Sequence, residues 1–285
     1  MNTASPTGLG VSHQPPSDRP LVLAVANQKG GVGKTTTAVN LAASLAKTGL
    51  SVLLIDMDPQ GNASTGLGLP RSQRHGGTYK LLTAGRLDQT AIRPSPVANL
   101  SIIASDMDLA GAEIELVSQP QREFRLRSAL TGLPALQPYA VILLDCPPGL
   151  GLLTLNALVA ADGVVVPLQC EFYALEGISS LMHTIEAVRR RFNGQLRLSG
   201  ILLTMFDRRN SLSGLVEKDA RDHFGDWVYE AMIPRNIRVS EAPSHGLPVI
   251  VYDPKSPGAL AYTVLAEEIM KKEQVRVPEQ ANVDG

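Results

Sequence analysis

Between Leu21 and Lys272 the chain alternates short apolar runs with longer segments in which apolar residues recur every three or four positions. Runs of consecutive Val, Leu, Ile and Ala predict strands buried on both faces, and the helical recurrence predicts helices packed over them. Strands are predicted at 21–26, 50–56, 100–104, 139–148, 163–168, 198–204 and 228–233. Helices are predicted at 37–47, 79–84, 109–117, 122–133, 152–161, 174–192, 212–224 and 258–272. Strand and helix take turns without a repeat or a break in composition. The pattern therefore predicts one α/β domain, a mostly parallel twisted sheet with helices on both faces. Residues 1–20 are rich in Pro, Ser, Gly and Thr, and residues 273–285 are polar. Neither end has the apolar content to pack, so both are predicted to be disordered tails around a domain over 21–272.

The first strand opens into Asn27-Gln28-Lys29-Gly30-Gly31-Val32-Gly33-Lys34-Thr35-Thr36, and the helical pattern resumes at Thr37. Strand, glycine loop and helix in that order build an anion site. The glycines let successive N–H groups turn inward, and the helix adds the positive end of its dipole. Gly30, Gly31, Val32, Gly33, Lys34, Thr35 and Thr36 are thus candidate phosphate ligands of a P-loop. In that pattern Lys34 reaches the β- and γ-phosphates and the Thr35 hydroxyl ligates Mg²⁺. The competing reading, a glycine-rich turn that binds nothing, leaves the flanking strand and helix without a reason. The second strand ends in Asp56-Met57-Asp58-Pro59-Gln60-Gly61-Asn62, and the apolar run Val141 to Leu144 ends in Asp145. Carboxylates at the C-terminal ends of parallel strands stand where open α/β sheets place their ligands. Asp145 fits the Walker B carboxylate that holds the hydration shell of Mg²⁺.

Composition sharpens the fold class. Apolar residues make up 44% of the 285 and aromatics only 4%, the profile of a Leu, Val, Ile and Ala core between a parallel sheet and its helices. A net charge of −1, from 26 basic and 27 acidic residues, gives no global field for nucleic acid, so any such contact must come from a local patch. The two cysteines, Cys146 and Cys170, lie in apolar segments without metal or redox spacing, as buried thiols of a reducing compartment do. No apolar run approaches the roughly 18 residues of a membrane span, and no charged-then-apolar leader opens the chain. A cytoplasmic protein is the expectation.

The glycine loop departs from the commonest spacing. Gln28 stands where a glycine is usual, and Lys29 is an additional cation beside it. In this form Lys29 to Thr36 resembles the deviant Walker A box, KGGxGK[ST], of the ParA/MinD group of P-loop ATPases. Five further segments resemble ParA/Soj-type partition ATPases in the same order: Asp56 to Asn62, Leu144 to Pro148, Pro167 to Glu171, Thr204 to Arg209 and Ile233 to Pro243. The resemblance spans roughly Leu21 to Lys272. It implies a single-domain P-loop NTPase with ATP and Mg²⁺ as ligands and a slow intrinsic turnover. It also implies a homodimer that sandwiches ATP, non-specific contact with double-stranded DNA, and a ParB-type centromere-binding partner that stimulates hydrolysis. The implied setting is the nucleoid, in chromosome or plasmid segregation. Lys29 matches the signature lysine that crosses the dimer interface to the partner's nucleotide, where a cation delivered in trans stabilises phosphoryl-transfer charge. Asp58 matches the aspartate that polarises the attacking water, so Lys29, Lys34 and Asp58 are the catalytic candidates. Asp56 is expected nearer the metal, with Thr35 and Asp145. Pro234 and Asn236 are expected beside the adenine, Asn236 as the base contact.

The expected DNA contacts are Arg208, Arg209, Arg235 and Arg238, which fall in boxes that resemble DNA-facing segments of the family. Charge alone does not point there: from Gly200 onward ten basic residues face thirteen acidic ones. No helix-turn-helix or aromatic-interleaved basic motif occurs, so phosphate contact without base readout is the expected form. The plainer readings remain open: a surface lysine at Lys29, a loop cap at Asp58, a turn residue at Asn236 and surface ion pairs for each arginine. Arg189-Arg190-Arg191 complements the dipole at a helix end and is given no further task. A membrane-cycling protein of the MinD kind is the alternative output of such a fold. It needs a basic amphipathic C-terminal helix, and Pro278 with its sparse apolar neighbours denies one. A cluster-bridging protein resembling the nitrogenase iron protein needs cysteine loops that Cys146 and Cys170 do not match.

Overall fold

A computed structural model describes residues 19–88, 90–171 and 174–277. Most of both predicted tails, 1–18 and 278–285, lies outside the described residues. Within them the strands are β1 (Leu21–Val25), β2 (Val52–Asp56), β3 (Ile92–Pro94), β4 (Leu100–Ile103), β5 (Val141–Asp145), β6 (Gly163–Gln169), β7 (Arg197–Phe206) and β8 (Val228–Pro234). They form one sheet in the order β3-β4-β2-β5-β1-β6-β7-β8. Neighbours pair in parallel except β3, which runs antiparallel to β4. The α-helices are α1 (Lys34–Lys47), α2 (Asn62–Gly66), α3 (Thr78–Ala84), α4 (Asp108–Leu116), α5 (Arg125–Gly132) and α6 (Leu152–Ala160). The chain continues with α7 (Ala174–Arg191), α8 (Ser211–Phe224), α9 (Ile237–Glu241), α10 (Val249–Tyr252) and α11 (Pro257–Glu273).

The two-residue period of the strands divides the core. Val22, Ala24 and Ala26 point to one side, into a cluster with Leu109, Leu126, Leu153, Ile178 and Val216 from α4, α5, α6, α7 and α8. Leu21, Leu23 and Val25 point to the other, into a cluster with Leu41, Leu45, Ile250, Tyr262 and Leu265 from α1, α10 and α11. Helices therefore cover both faces of a nearly parallel sheet, as the unbroken apolar strands predict.

Register places the chemistry. Asp145 pairs with Val25 of β1 on one side and with Asp56 of β2 on the other, so the carboxyl ends of the three strands meet on one rim. The strand order reverses about β1, and the crevice above such a reversal is where open sheets bind ligands.

The structure adds to the predicted pattern and trims it. β3, α2, α9 and α10 were not predicted, α1 begins at Lys34 rather than Thr37, and β5 is confined to Val141–Asp145. The single helix expected over 122–133 is a 3₁₀ turn at Arg122–Phe124 followed by α5. The last helix keeps Glu273, which the sequence assigns to a tail. This carboxylate is buried, contacts Arg197, and accepts a hydrogen bond from Ser199 Oγ at 2.6 Å. Ser199 in turn shares a 2.9 Å hydrogen bond with the buried Tyr229 hydroxyl. Among the described residues no helix is long and apolar enough to cross a membrane.

The phenol end of the Tyr229 ring packs against Gly200. A Cβ added at Gly200 would stand 2.5 Å from the ring, which is buried and held by its hydroxyl. Gly200→Ala is expected to destabilise the fold by about 1–3 kcal/mol through overpacking, read as a lower urea midpoint at unchanged slope.

Candidate nucleotide-binding site

The glycine loop joins β1 to α1 and is pinned from several directions. Asn27 donates from Nδ2 to the Pro167 carbonyl at 2.7 Å and accepts from the Lys29 amide at 3.1 Å. Thr204 Oγ1 donates to the Val32 carbonyl at 2.9 Å, and the Gly149 amide donates to the Gln28 carbonyl at 3.2 Å. Gly31 and Gly33 take φ of +76° and +87°, a region that side chains resist. No atom lies within 4 Å of a Cβ placed at Gly31, so backbone conformation rather than crowding calls for glycine there. Lys34 is 7% exposed and curls back, its Nζ donating to the Lys29 carbonyl at 2.7 Å. Burial lowers its pKa, and the carboxylates of Asp145 and Asp58 oppose that shift.

Three carboxylates share the rim, in different states. Asp56 is fully buried with its oxygens engaged: Oδ2 accepts from the Ser64 amide at 2.8 Å and hydroxyl at 2.7 Å, and Oδ1 accepts from the Asp58 amide at 3.2 Å. The sequence assigns Asp56 to the metal, and these bonds also tie it to the loop that carries Asp58. Burial raises its pKa to about 6 even though the Ser64 and Asp58 hydrogen bonds pull it down. Asp58 is 7% exposed, and its Oδ1 accepts from the Gln60 amide at 2.9 Å, which is the loop-cap geometry. Asp145 is fully buried, and neither of its oxygens meets a protein donor in hydrogen-bond geometry. Burial pushes its pKa well up, Asp56 and Asp58 add to the rise, and the nearby Thr35 hydroxyl and Lys34 counter it.

The remaining candidates separate. Lys29 lies on the loop surface and pairs with Glu171 of the same chain at the end of β6. Pro234 and Asn236 line a cavity of about 470 Å³ that reaches Gly33 and Thr36 of the loop, together with Thr204, Met205 and Tyr262. Asn236 caps α9, its Oδ1 accepting from the Arg238 amide at 2.9 Å, so the turn role and the cavity wall coincide in one residue. Arg208, Arg209 and Arg235 line a groove between the end of β7, the edge strand β8 and α11. Arg209 is held by Asp207 through two 3.0 Å hydrogen bonds, which pull that carboxyl down to about 2. Arg238 lies outside this groove and pairs with Glu241 at 3.0 Å and Asp253 at 3.4 Å.

The fold and the loop define an α/β P-loop protein. A family model described as an AAA domain matches residues 21–198. The chain belongs to the ParA/Soj family of chromosome partitioning ATPases. It is 56% identical to the chromosome partitioning protein ParA of Caulobacter vibrioides over 255 residues, 90% of this chain and 96% of that protein. It is 50% identical to the sporulation initiation inhibitor protein Soj of Bacillus subtilis, over 87% of this chain and 97% of that one. Among solved structures it is similar to cobyrinic acid a,c-diamide synthase from Mycobacterium smegmatis with bound ADP and magnesium. The TM-score is 0.78 at 36% identity, over 90% of this chain and 96% of that one.

Sequence reasoning missed three contributors. Thr204 holds the loop from a strand far along the chain, and Met205 beside it takes φ of +52° on the cavity wall, a strained conformation for a side chain. Arg74 is buried and fastens the Asp58 loop, donating to the Gly61 carbonyl at 2.9 Å and to the Leu69 carbonyl at 2.6 Å. The threonine and methionine lay within a family-like box without a role, and nothing in the local sequence marks the arginine.

Asp56 and Asp145 both titrate above their unfolded range in the metal-free chain. The folded state then holds more protons than the unfolded one, and stability falls as pH rises from 3.8 to about 6 and beyond. Asp145→Asn is expected to remove its share of that loss. The variant should exceed wild type in stability at neutral pH, with the difference shrinking toward pH 4, as urea unfolding in EDTA would show.

Proposed function

We propose that this chain is a Mg²⁺-dependent ATPase whose nucleotide state sets its affinity for DNA, with ATP sandwiched in a homodimer and hydrolysis stimulated by a ParB-type partner. The observation that carries the reading is the buried, unpartnered Asp145 beside Thr35 and Lys34. A carboxylate in that state suits a hydrated divalent cation, because oxygen donors are what a hard cation selects. Thr35 and Asp145 would hold Mg²⁺, which would neutralise charge on the β- and γ-phosphates when bound. The amides of Gly30 to Thr36 would cradle the phosphates, and Lys34 would exchange the Lys29 carbonyl for a phosphate oxygen. Pro234 and Asn236 would border the adenine in the adjoining cavity, with the Asn236 carboxamide NH₂ directed to the base.

Asp58 would orient the water for in-line attack, held in place by Asp56 and the Gln60 amide. Lys29 would leave Glu171 and reach the nucleotide of the other subunit. An exposed ion pair of this kind is worth about 0–1 kcal/mol, so the exchange is energetically easy. DNA would then read the dimer, since pairing two copies doubles a phosphate-contacting patch that is weak in one. Slow unstimulated turnover follows from the same logic, because fast hydrolysis would empty the DNA-bound state before the partner arrived. In the cell this is a cytoplasmic, nucleoid-associated cycle serving segregation.

The test is binding to non-specific duplex DNA with ATP, with ADP and without nucleotide, across a salt series. Binding that needs ATP and weakens steeply with salt is expected, and binding indifferent to nucleotide would separate the two halves of the reading. Asp58→Ala is expected to keep ATP binding, lower hydrolysis by about 100-fold or more, and trap the DNA-bound dimer. Undiminished hydrolysis in that variant would remove the water-orienting role. Arg208→Ala and Arg235→Ala should each reduce the salt slope of DNA binding by about one, and Arg209→Ala by less, because Asp207 already neutralises it.

A further inference from the structure

Helix α4 is apolar on two sides. Leu109, Ala112 and Leu116 are buried against the body, while Met107, Ala110, Ile114 and Val117 recur at intervals of three and four on the outer face. Met107 and Val117, at the two ends, keep right-handed helical backbone angles, so the four residues form one continuous stripe. Exposure reaches 61% at Met107, 79% at Ile114 and 61% at Val117. Leu150, also exposed, stands in the loop that runs beside Glu113 of this helix. Glu113 Oε1 accepts from the Leu153 amide at 3.4 Å and would lie 2.6 Å from a Cβ on Gly151. A contiguous exposed stripe of this kind marks a surface meant to be covered.

Charge selects what covers it. From Pro94 to Gln121 the chain has no lysine or arginine, and Asp106, Asp108, Glu113 and Glu115 all fall there. At 100° per residue, Glu113 lies on one flank of the stripe, with Asp108 and Glu115 on the other. Arg122 stands only at the C-terminal end, on the Val117 carbonyl and Glu123. Such a rim repels a second copy of the same face, and it repels phosphates of DNA or lipid. It attracts a basic segment.

We propose that the outer face of α4, with Leu150, docks an amphipathic helix of the centromere-binding partner, its apolar row on Met107 to Val117 and its Lys and Arg residues on the acidic flanks. The partner's identity rests on the function proposed above; the surface and its chemistry do not. Leu150 belongs to the loop that leads from Asp145 to α6, and Gly149 of that loop donates to the Gln28 carbonyl of the glycine loop. A helix seated here bears on the connection between the Walker B strand and the phosphate loop, which gives docking a route to hydrolysis.

Hydrolysis by the full chain on duplex DNA is measured with and without the partner for wild type, Ile114→Glu and Val117→Glu, both changes being at exposed positions. Unstimulated hydrolysis is expected to be unchanged, and stimulation to fall about tenfold or more, the loss typical of a central apolar contact. A partner-independent arm follows the anisotropy of a labelled helical peptide with a leucine face flanked by lysines, against the same peptide carrying glutamates. The lysine peptide is expected to bind wild type, to bind Ile114→Glu about tenfold more weakly, and to outcompete the glutamate peptide. Full stimulation of Ile114→Glu overturns the proposal, as does failure of the lysine peptide to bind or equal binding of both peptides. Loss of the ATP-dependent dimer in Ile114→Glu also overturns it, by making the face a self-contact. Specific lysine-peptide binding by a wild type that ignores the partner supports the surface and removes the partner from the function.

Discussion

A buried carboxylate that the Thr35 hydroxyl approaches without meeting it in full hydrogen-bond geometry is the constraint on which the rest of this structure turns. Asp145 ends a strand whose other residues are wholly apolar, and parallel register sets it level with Val25 and Asp56. Leaving a charge there unpaired is costly, and nothing in the packing requires it. Its neighbours explain its retention. Lys34 and Thr35 face it from the first turn of α1, and the glycine loop ahead of them keeps its amides free for an anion. Two further acids, Asp56 and Asp58, make the rim net negative around a single buried lysine. That arrangement is incomplete as a protein and complete as a receptor for a cation that arrives with phosphates.

The surroundings divide between parts held rigid and parts left exchangeable. Asp56, Ser64 and Arg74 fix the loop of Asp58 through buried hydrogen bonds, and Thr204 fixes the glycine loop from the far side. By contrast Lys34 rests on a backbone carbonyl that a phosphate oxygen can replace, and Lys29 on a half-buried glutamate, in a surface ion pair that a second subunit can replace at little cost. Rigid backbone with displaceable cations is what electrostatic preorganisation asks of a phosphoryl-transfer site.

Much of this was legible in the sequence because it is local. Consecutive apolar residues ending in Asp145, and glycines between a strand and a helix, carry their structural meaning within a dozen positions. What escaped was set by tertiary contact. β3 is three residues long and pairs with β4 only because the sheet edge accepts it, and Pro94 closes it. α9 and α10 are too short to show a helical period. Glu273 reads as the start of a polar tail, yet it is buried on Ser199 from 74 positions away. Asp56 and Asp145 look equivalent as strand-end acids. Only the Ser64 hydrogen bonds show that the first braces a loop while the second stands free. The arginines divide in the same way, Arg209 and Arg238 being neutralised by Asp207, Glu241 and Asp253.

The claim that the site awaits a cation together with a triphosphate is tested most directly by thermal unfolding of the full chain in saturating ATP, with excess Mg²⁺ and separately with EDTA. A ligand that binds only the folded state raises the midpoint in proportion to its affinity. The account predicts a clear rise with Mg²⁺ and ATP and little with metal-free ATP, whose phosphates would bring further negative charge to the rim of Asp56, Asp58 and Asp145. An equal rise in both conditions would contradict it, and Asp145 would then be a buried acid with no cation to meet.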